Sequence, residues 1–377
     1  MIYLLTQWIN SIYNPPGFDV FKFLTFRSAA AAISAMFISF IIGPRIIQLL
    51  RNLQMQEQDK SELQAHGLHM TKAGTPTMGG LIVLTALLIP TILWADLTNM
   101  FVVMILFVTA ALGALGFMDD YLKVIKKRKG GLPGRYKMLG QFLVGAILAT
   151  VIMFYPESFG EGFELVKTAT TMPFTKNFNP DLGVIFYPIF VIFVLTATSN
   201  AVNLTDGLDG LAIGTVSIAA LTLAALAYIT GNANFSEYLN IMYLEGSGEL
   251  TIFTAALVGA GLGFLWYNSH PAQVFMGDTG SLALGGALGC LAILIKKEFL
   301  IPILGGVFFA EALSVMAQVS YFKYTKKKYG EGKRLFKIAP IHHHFEKSGI
   351  HETKIVMRFY IVAIILAILV LTTFKVR

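Results

Sequence analysis

Charge is what this 377-residue chain has least of. Only 14% of its residues are Asp, Glu, Lys or Arg, against ~25% in an ordinary soluble domain. Hydrophobic residues make up 55%, and the mean hydropathy is +0.66. A soluble enzyme is excluded, because too few polar side chains remain to cover a water-facing surface. Cysteine is nearly absent. The single Cys290 lies in an apolar run, so neither an intramolecular disulfide nor a multi-cysteine metal site is available. Acidic residues are scarcer than basic ones, 22 against 29, which leaves a net charge of +7. In a membrane chain that excess reports orientation, not a nucleic-acid partner. Internal repeats are lacking too, and the only biased tract is Lys326–Lys328. The length would allow two soluble domains, but composition points instead to one polytopic domain over residues 1–377 in a lipid bilayer.

What is present is a series of long charge-free windows: 28–44, 73–95, 97–118, 138–156, 182–205, 210–236, 250–277, 279–295 and 359–374. A further run, 299–322, is interrupted only by Glu311. Most approach the ~20 apolar residues a helix needs to cross the hydrocarbon core, so ten transmembrane helices are predicted. Residues 1–18 are also uncharged up to Phe18, but Asn10, Asn14 and Pro15-Pro16 break them up, and they read as neither signal peptide nor span. With ten spans both termini share a side. The loops after odd-numbered spans hold 21 of the 29 basic residues. By the positive-inside rule those five loops are cytoplasmic and both termini are external. Gly259/Gly263 and Gly285/Gly289 have the small-xxx-small spacing of close helix packing.

The same count places five aspartates at the cytoplasmic boundary. Asp119 and Asp120 end the third span, where negative charge opposes the helix dipole and so costs stability without local gain. As helix neighbours they point roughly 100° apart and reach different partners. Asp206 and Asp209 lie in Asn203-Leu204-Thr205-Asp206-Gly207-Leu208-Asp209-Gly210, and Asp278 in Phe275-Met276-Gly277-Asp278. Each of these three is also placed to cap the helix that follows it. Their loops are short and without Lys or Arg, as expected of segments folded tightly against protein. Carboxylates gathered this closely repel one another unless a cation joins them. All-oxygen ligands without a thiolate favour Mg²⁺, which completes its shell with water and substrate phosphates. That combination points to phosphoryl transfer. Lys72, just before the second span, is either a snorkelling lysine or a phosphate partner. The His342-His343-His344 run lacks zinc-site spacing and suits hydrogen bonding to phosphate or sugar. Glu311 is the one charge within a span, and is expected to face the bundle, protonated or paired.

At these motifs the chain resembles the polyprenyl-phosphate N-acetylhexosamine-1-phosphate transferases. The Asp119-Asp120 pair, Asn203 to Gly210 and Phe275 to Asp278 are similar to motifs of the whole superfamily. Thr75-Pro76-Thr77-Met78-Gly79-Gly80, Gly134-Arg135-Tyr136-Lys137 and His342-His343-His344-Phe345-Glu346 resemble its muramoyl-pentapeptide branch. The resemblance spans nearly the whole chain. It implies transfer of phospho-N-acetylmuramoyl-pentapeptide from UDP-N-acetylmuramoyl-pentapeptide to undecaprenyl phosphate, yielding UMP and the lipid I of peptidoglycan synthesis. It further implies Mg²⁺ on Asp278, with Asp119 and Asp120 at the reacting phosphates and Lys72 offsetting their charge. Lys72, Gly207, Leu208, Asp209 and Phe275 match the nucleoside pocket, with Phe275 stacked on uracil. Asn203, Asp206, Asn268, Lys123, Lys137, Gln318, His343 and His344 match positions lining the same cleft, Thr77 matches a substrate-binding position, and a homodimer is implied.

Within that frame Asp119 is expected to deprotonate the lipid phosphate for a single displacement; the alternative is a covalent aspartyl-phosphate. Two other readings compete. A sister enzyme using UDP-N-acetylglucosamine would share the aspartates but not the histidine run. An ion-coupled transporter would need its carboxylates at mid-membrane, where only Glu311 lies.

Overall fold

The computed structural model describes residues 1–13, 15–54, 74–128, 130–175 and 178–373; among these described residues the one β-pairing is an isolated bridge between Ala169 and Asp181. The helices are α1 (Ile2–Tyr13), α2 (Leu24–Gln54), α3 (Gly80–Trp94), α4 (Met100–Val124), α5 (Gly134–Phe154), α6 (Gly183–Thr205) and α7 (Leu211–Thr230). They continue with α8 (Ala233–Leu239), α9 (Leu250–Asn268), α10 (Gly277–Leu294), α11 (Gly306–Tyr329), α12 (Ile341–Glu346) and α13 (Glu352–Thr372).

Each of the ten charge-poor windows falls on a helix. Among the described residues, eight helices are long and apolar enough to cross a bilayer: α2, α4, α5, α6, α7, α9, α10 and α13. A ninth span results if Glu298–Leu304 and α11, bent 80° from each other, are taken together. The remaining window holds α3, which is apolar but only 15 residues long. The chain is thus an all-helical polytopic membrane protein, with eight or nine clear spans where ten were expected. The N-terminal residues open with the 12-residue α1. The ammonium of Met1 donates to the carbonyls of Ile92 and Leu93 at 2.6 and 3.1 Å, placing a positive charge on the C-terminus of α3.

The centre of the bundle is α10, in which every residue from Thr279 to Leu294 is buried. Helices do not gain from the hydrophobic effect inside a bilayer, so they associate through close packing and hydrogen bonds. Small residues on α10 make that possible. A Cβ on Gly116 of α4 would overlap the Asp278 backbone, and one on Gly80 would overlap Gly280. Gly285 and Gly289 meet Thr198 of α6, while Gly259 and Gly263 of α9 meet Ala32 and Ser39 of α2. The two glycine pairs are packing positions, as their spacing indicated. The result is that the N-terminus of α10 sits against the C-terminal turns of α4 and α6, which carry the aspartate motifs. Helix α11 ends at Gly330 (φ 81°) after Lys326, Lys327 and Lys328, cations that suit a helix C-terminus.

Candidate active site

Four separate stretches build one open cleft of about 500 Å³. The segment before α3 runs beside the loop before α10: Phe275 N donates to Pro76 O at 2.8 Å, Gly79 N to Phe275 O at 2.8 Å and Gly80 N to Met276 O at 2.7 Å. That ladder brings Thr75 and Thr77 next to Phe275. Asn268 ties this loop to the turn between α6 and α7, its Oδ1 accepting from Gly210 N at 3.1 Å and its Nδ2 donating to Val274 O at 2.9 Å. The α4 end and the first residues of α10 close the other side.

The two neighbouring aspartates of α4 do different work, as their angular separation predicts. Asp120 is 3% exposed and is consumed by the N-terminus of α10. It accepts from the amides of Asp278 (3.2 Å) and Thr279 (2.8 Å) and from the Thr279 hydroxyl (2.6 Å). A carboxylate that opposes the dipole of its own helix is here stabilised by the N-terminal dipole of another. The cap of α10 therefore comes from α4 and not from Asp278, which is its second residue and is left to face the cleft. Nor does Asp209 cap α7, whose N-cap is Gly210 with φ 79° and no side-chain hydrogen bond.

Asp119, 2% exposed, accepts from Leu132 N at 2.6 Å and holds Lys123 Nζ at 2.7 Å. The same ammonium lies 2.7 Å from Asp278 Oδ2, so one cation bridges both carboxylates. Lys137, one turn into α5, adds a second contact to Asp278 at 3.0 Å. Asn203 donates to Asp278 Oδ1 at 2.6 Å and to Ser281 Oγ at 2.8 Å. Gly277, with φ 74°, allows the chain to turn into α10 directly beneath Asp120 and Thr77; a side chain there would strike both.

Asp206 lies in the turn after α6 and lines the cleft. Burial, reinforced by the charge on Asp278, raises its carboxyl to about 7, against the pull of a hydrogen bond from the Gly277 amide. Asp209 accepts from Ala272 N at 3.1 Å and lies 3.1 Å from His270 Nδ1, while its own amide donates to Glu352 Oε1 at 2.6 Å.

Of the residues singled out from the sequence, Thr77, Asp120, Lys123, Asn203, Asp206, Gly207, Leu208, Asp209, Asn268, Phe275 and Asp278 line this cleft. Asp119, expected as a proton acceptor at the phosphates, stands behind it and holds Lys123. Lys137 reaches it through Asp278. Gln318 lines a different cavity of about 450 Å³, with Lys323 and Arg334. His343 pairs with Glu346 at 2.9 Å and His344 accepts from Lys337 N at 3.1 Å; neither lines the cleft. Lys72 lies outside the described residues. Not foreseen from the sequence are Thr75, Val124 and Gly277 on the wall, Thr279 beneath Asp120, and His270 and Glu352 around Asp209. Thr75 was within a quoted motif; Glu352, 143 positions from Asp209, carried no local signal.

The family described as "Glycosyl transferase family 4" matches this chain over residues 102–296, and a signature of the phospho-N-acetylmuramoyl-pentapeptide-transferases matches residues 72–84. A protein of that name from Chloroherpeton thalassium is 49% identical over the full length of both chains. Its counterpart from Citrifermentans bemidjiense is also 49% identical over the full length of both. One from a Geobacter species is 50% identical over 96% of each.

Proposed function

From the premise that this chain belongs to the phospho-N-acetylmuramoyl-pentapeptide-transferase family, we propose that the cleft at the head of α10 is where its reaction takes place. The chain moves phospho-N-acetylmuramoyl-pentapeptide from a UDP carrier to undecaprenyl phosphate, releasing UMP and lipid I. The observation that carries the site is the ammonium of Lys123, 2.7 Å from both Asp119 and Asp278 at the mouth of the cleft. A cation already stands between two hard oxygen donors, so the residues fit a divalent ion. Asp278 would hold Mg²⁺, with Asp119 adjoining, once the lysine turns to the substrate phosphates. Bound there, Mg²⁺ would neutralise charge on the diphosphate and on departing UMP.

The chain's own residues do the rest. Lys123 and Lys137 supply the positive charge that lets an anionic acceptor approach an anionic donor in line. Asn203 fixes the Asp278 carboxylate, and Asp120 fixes the backbone that carries it. The wall from Asp206 to Asp209, with Phe275 opposite, receives the uridine. A phosphate monoester has its second pKa near ~6 and is already ionised at neutral pH. No protein base is required, and the reaction is a single displacement in which Asp119 holds Lys123. The aspartate face is cytoplasmic, in a ten-span, single-domain inner-membrane protein with external termini that acts as a homodimer.

Membership of the transferase family sets aside an ion-coupled transporter, for which Glu311, buried 3.0 Å from His342 Nδ1, was the one candidate carboxylate. The test is UMP release by purified protein with undecaprenyl phosphate and Mg²⁺, comparing UDP-N-acetylmuramoyl-pentapeptide with UDP-N-acetylglucosamine, each with and without EDTA. Release from the first donor alone, abolished by EDTA and restored by Mg²⁺, is expected. Preference for the second donor would reassign the substrate, and EDTA-resistant release would remove the metal.

A further inference from the structure

The single carboxylate of α11 and the first residue of the histidine run meet at a place the reaction above does not use. Glu311, on α11, is fully buried; its Oε2 lies 3.0 Å from His342 Nδ1 and accepts the His342 amide at 3.4 Å. Glu311 Oε1 and both ring nitrogens of His342 are out of water and, among the described residues, make no hydrogen bond; Nδ1 faces Glu311 Oε2 as a close charge contact only. Leaving such atoms unpaired is unfavourable, so packing and the contact with Glu311, not hydrogen bonds of the imidazole, fix where this ring sits. What meets the ring there is Gly207, where a Cβ would overlap the Nε2 edge of His342. A second tie runs from the same helix. Gln318, about two turns further along α11, accepts from the amides of Leu335 (2.9 Å) and Phe336 (2.8 Å) and donates to Phe336 O at 3.2 Å. Helix α11 thus grips the stretch leading to α12 at two points, and α12 brings the imidazole edge against the turn that walls the cleft.

We propose that His342 is a positioning residue: braced by Glu311, its imidazole sets the height of the Asp206–Gly207–Leu208 turn and thereby the nucleotide-facing wall. The proposal rests on reading that wall as the donor's uridine site. It assigns His342 an effect on binding, transmitted through Gly207, and no contact with the reacting phosphates.

A double-variant cycle on the purified full chain tests this, read as the dissociation constant for UMP and as donor KM and kcat. Gly207→Ala drives a methyl group into the imidazole and weakens UMP on the order of tenfold, as overpacking does. His342→Ala clears that space, so the double variant binds UMP more tightly than Gly207→Ala alone, a coupling that two independent losses cannot produce. Glu311→Ala leaves the ring unbraced and raises KM more than it lowers kcat, whereas Glu311→Gln keeps an oxygen toward Nδ1 and restores KM. If His342→Ala leaves the Gly207→Ala defect unrelieved, the brace is overturned while the nucleotide wall stands. Unchanged UMP affinity in Gly207→Ala overturns both. Should His342→Ala fail to fold, the Glu311 pair decides: equal losses of kcat in both variants, with KM unmoved, would overturn the proposal.

Discussion

The two ends of α10 carry the same kinds of side chain and use them in opposite ways. At its N-terminus Asp120 complements the positive end of the helix dipole; just past its C-terminus Lys296 and Lys297, both fully buried, complement the negative end. Beyond that the ends diverge. Lys296 Nζ donates to Lys167 O at 2.6 Å and to Tyr187 Oη at 2.7 Å, and stands 4.3 Å from the Tyr187 ring centroid. Tyr187 donates to Glu298 at 2.8 Å, Thr170 donates to the other Glu298 oxygen, and Lys297 donates to Thr171 at 3.0 Å. Burial pulls the Lys296 ammonium down from its ordinary value, and Glu298 pulls it back. That cluster is sealed beneath the loop before α6. The aspartate end opens on the 500 Å³ cleft, and its cations, Lys123 and Lys137, are 41% and 17% exposed. Both ends gather charge, but only the aspartate end is also reachable from outside, and it is there that the reaction is proposed.

The sharpest break in this comparison is Asp278→Asn. It keeps the shape and the Asn203 contact but removes the charge at the centre of the open cluster. Turnover should fall on the order of 10³-fold, as for loss of one preorganised electrostatic group, with little change in the unfolding temperature. Stopped UMP release in a folded protein is the measurement; retained turnover would move the reaction away from α10. The mirror experiment is Glu298→Ala, which leaves Lys296 without its counter-charge. It should cost about 3 kcal/mol of stability, seen as a lower unfolding temperature, while turnover per folded molecule is unchanged. A kcat defect in folded protein would show that the sealed end also matters to chemistry.

The smallest effect expected is a slope with pH. Asp206 carries a folded-state value raised to about 7, above the ~3.9 of an unfolded aspartate. Between those values the folded chain binds the extra proton, so this group's contribution to stability is full below about 4, falls as pH rises and is lost above about 7. Thermal unfolding without substrate should therefore show a decline from pH 5 to 8 that Asp206→Asn flattens. An identical slope in both proteins would place the titration elsewhere.

Much of this was legible in the residues themselves. The apolar windows locate the helices because crossing a bilayer is a local requirement of length and composition. The glycine pairs locate packing for a similar reason. The motifs at Asn203–Gly210 and Phe275–Asp278 named most of the cleft, since the residues that build it lie close together in sequence. The roles within the motifs were less legible. Asp119 and Asp120 look alike in sequence, yet one holds a lysine and the other caps a helix that begins 157 positions later. Glu311 was expected to face the bundle protonated or paired, as it does, but only the placing of α12 identified His342 as its neighbour.

By itself the sequence determined that this is a polytopic membrane protein with acidic motifs near one boundary, and those motifs carried its resemblance to the transferases. Composition is enough for the first, because each span answers to the bilayer alone. Only the tertiary structure decided which carboxylate faces the cleft, which is spent on a helix end and which braces a loop. Those outcomes depend on the close approach of α4, α6 and α11 to partners far along the chain, where a hydrogen bond at 2.6 Å differs from open space and no local pattern records the difference.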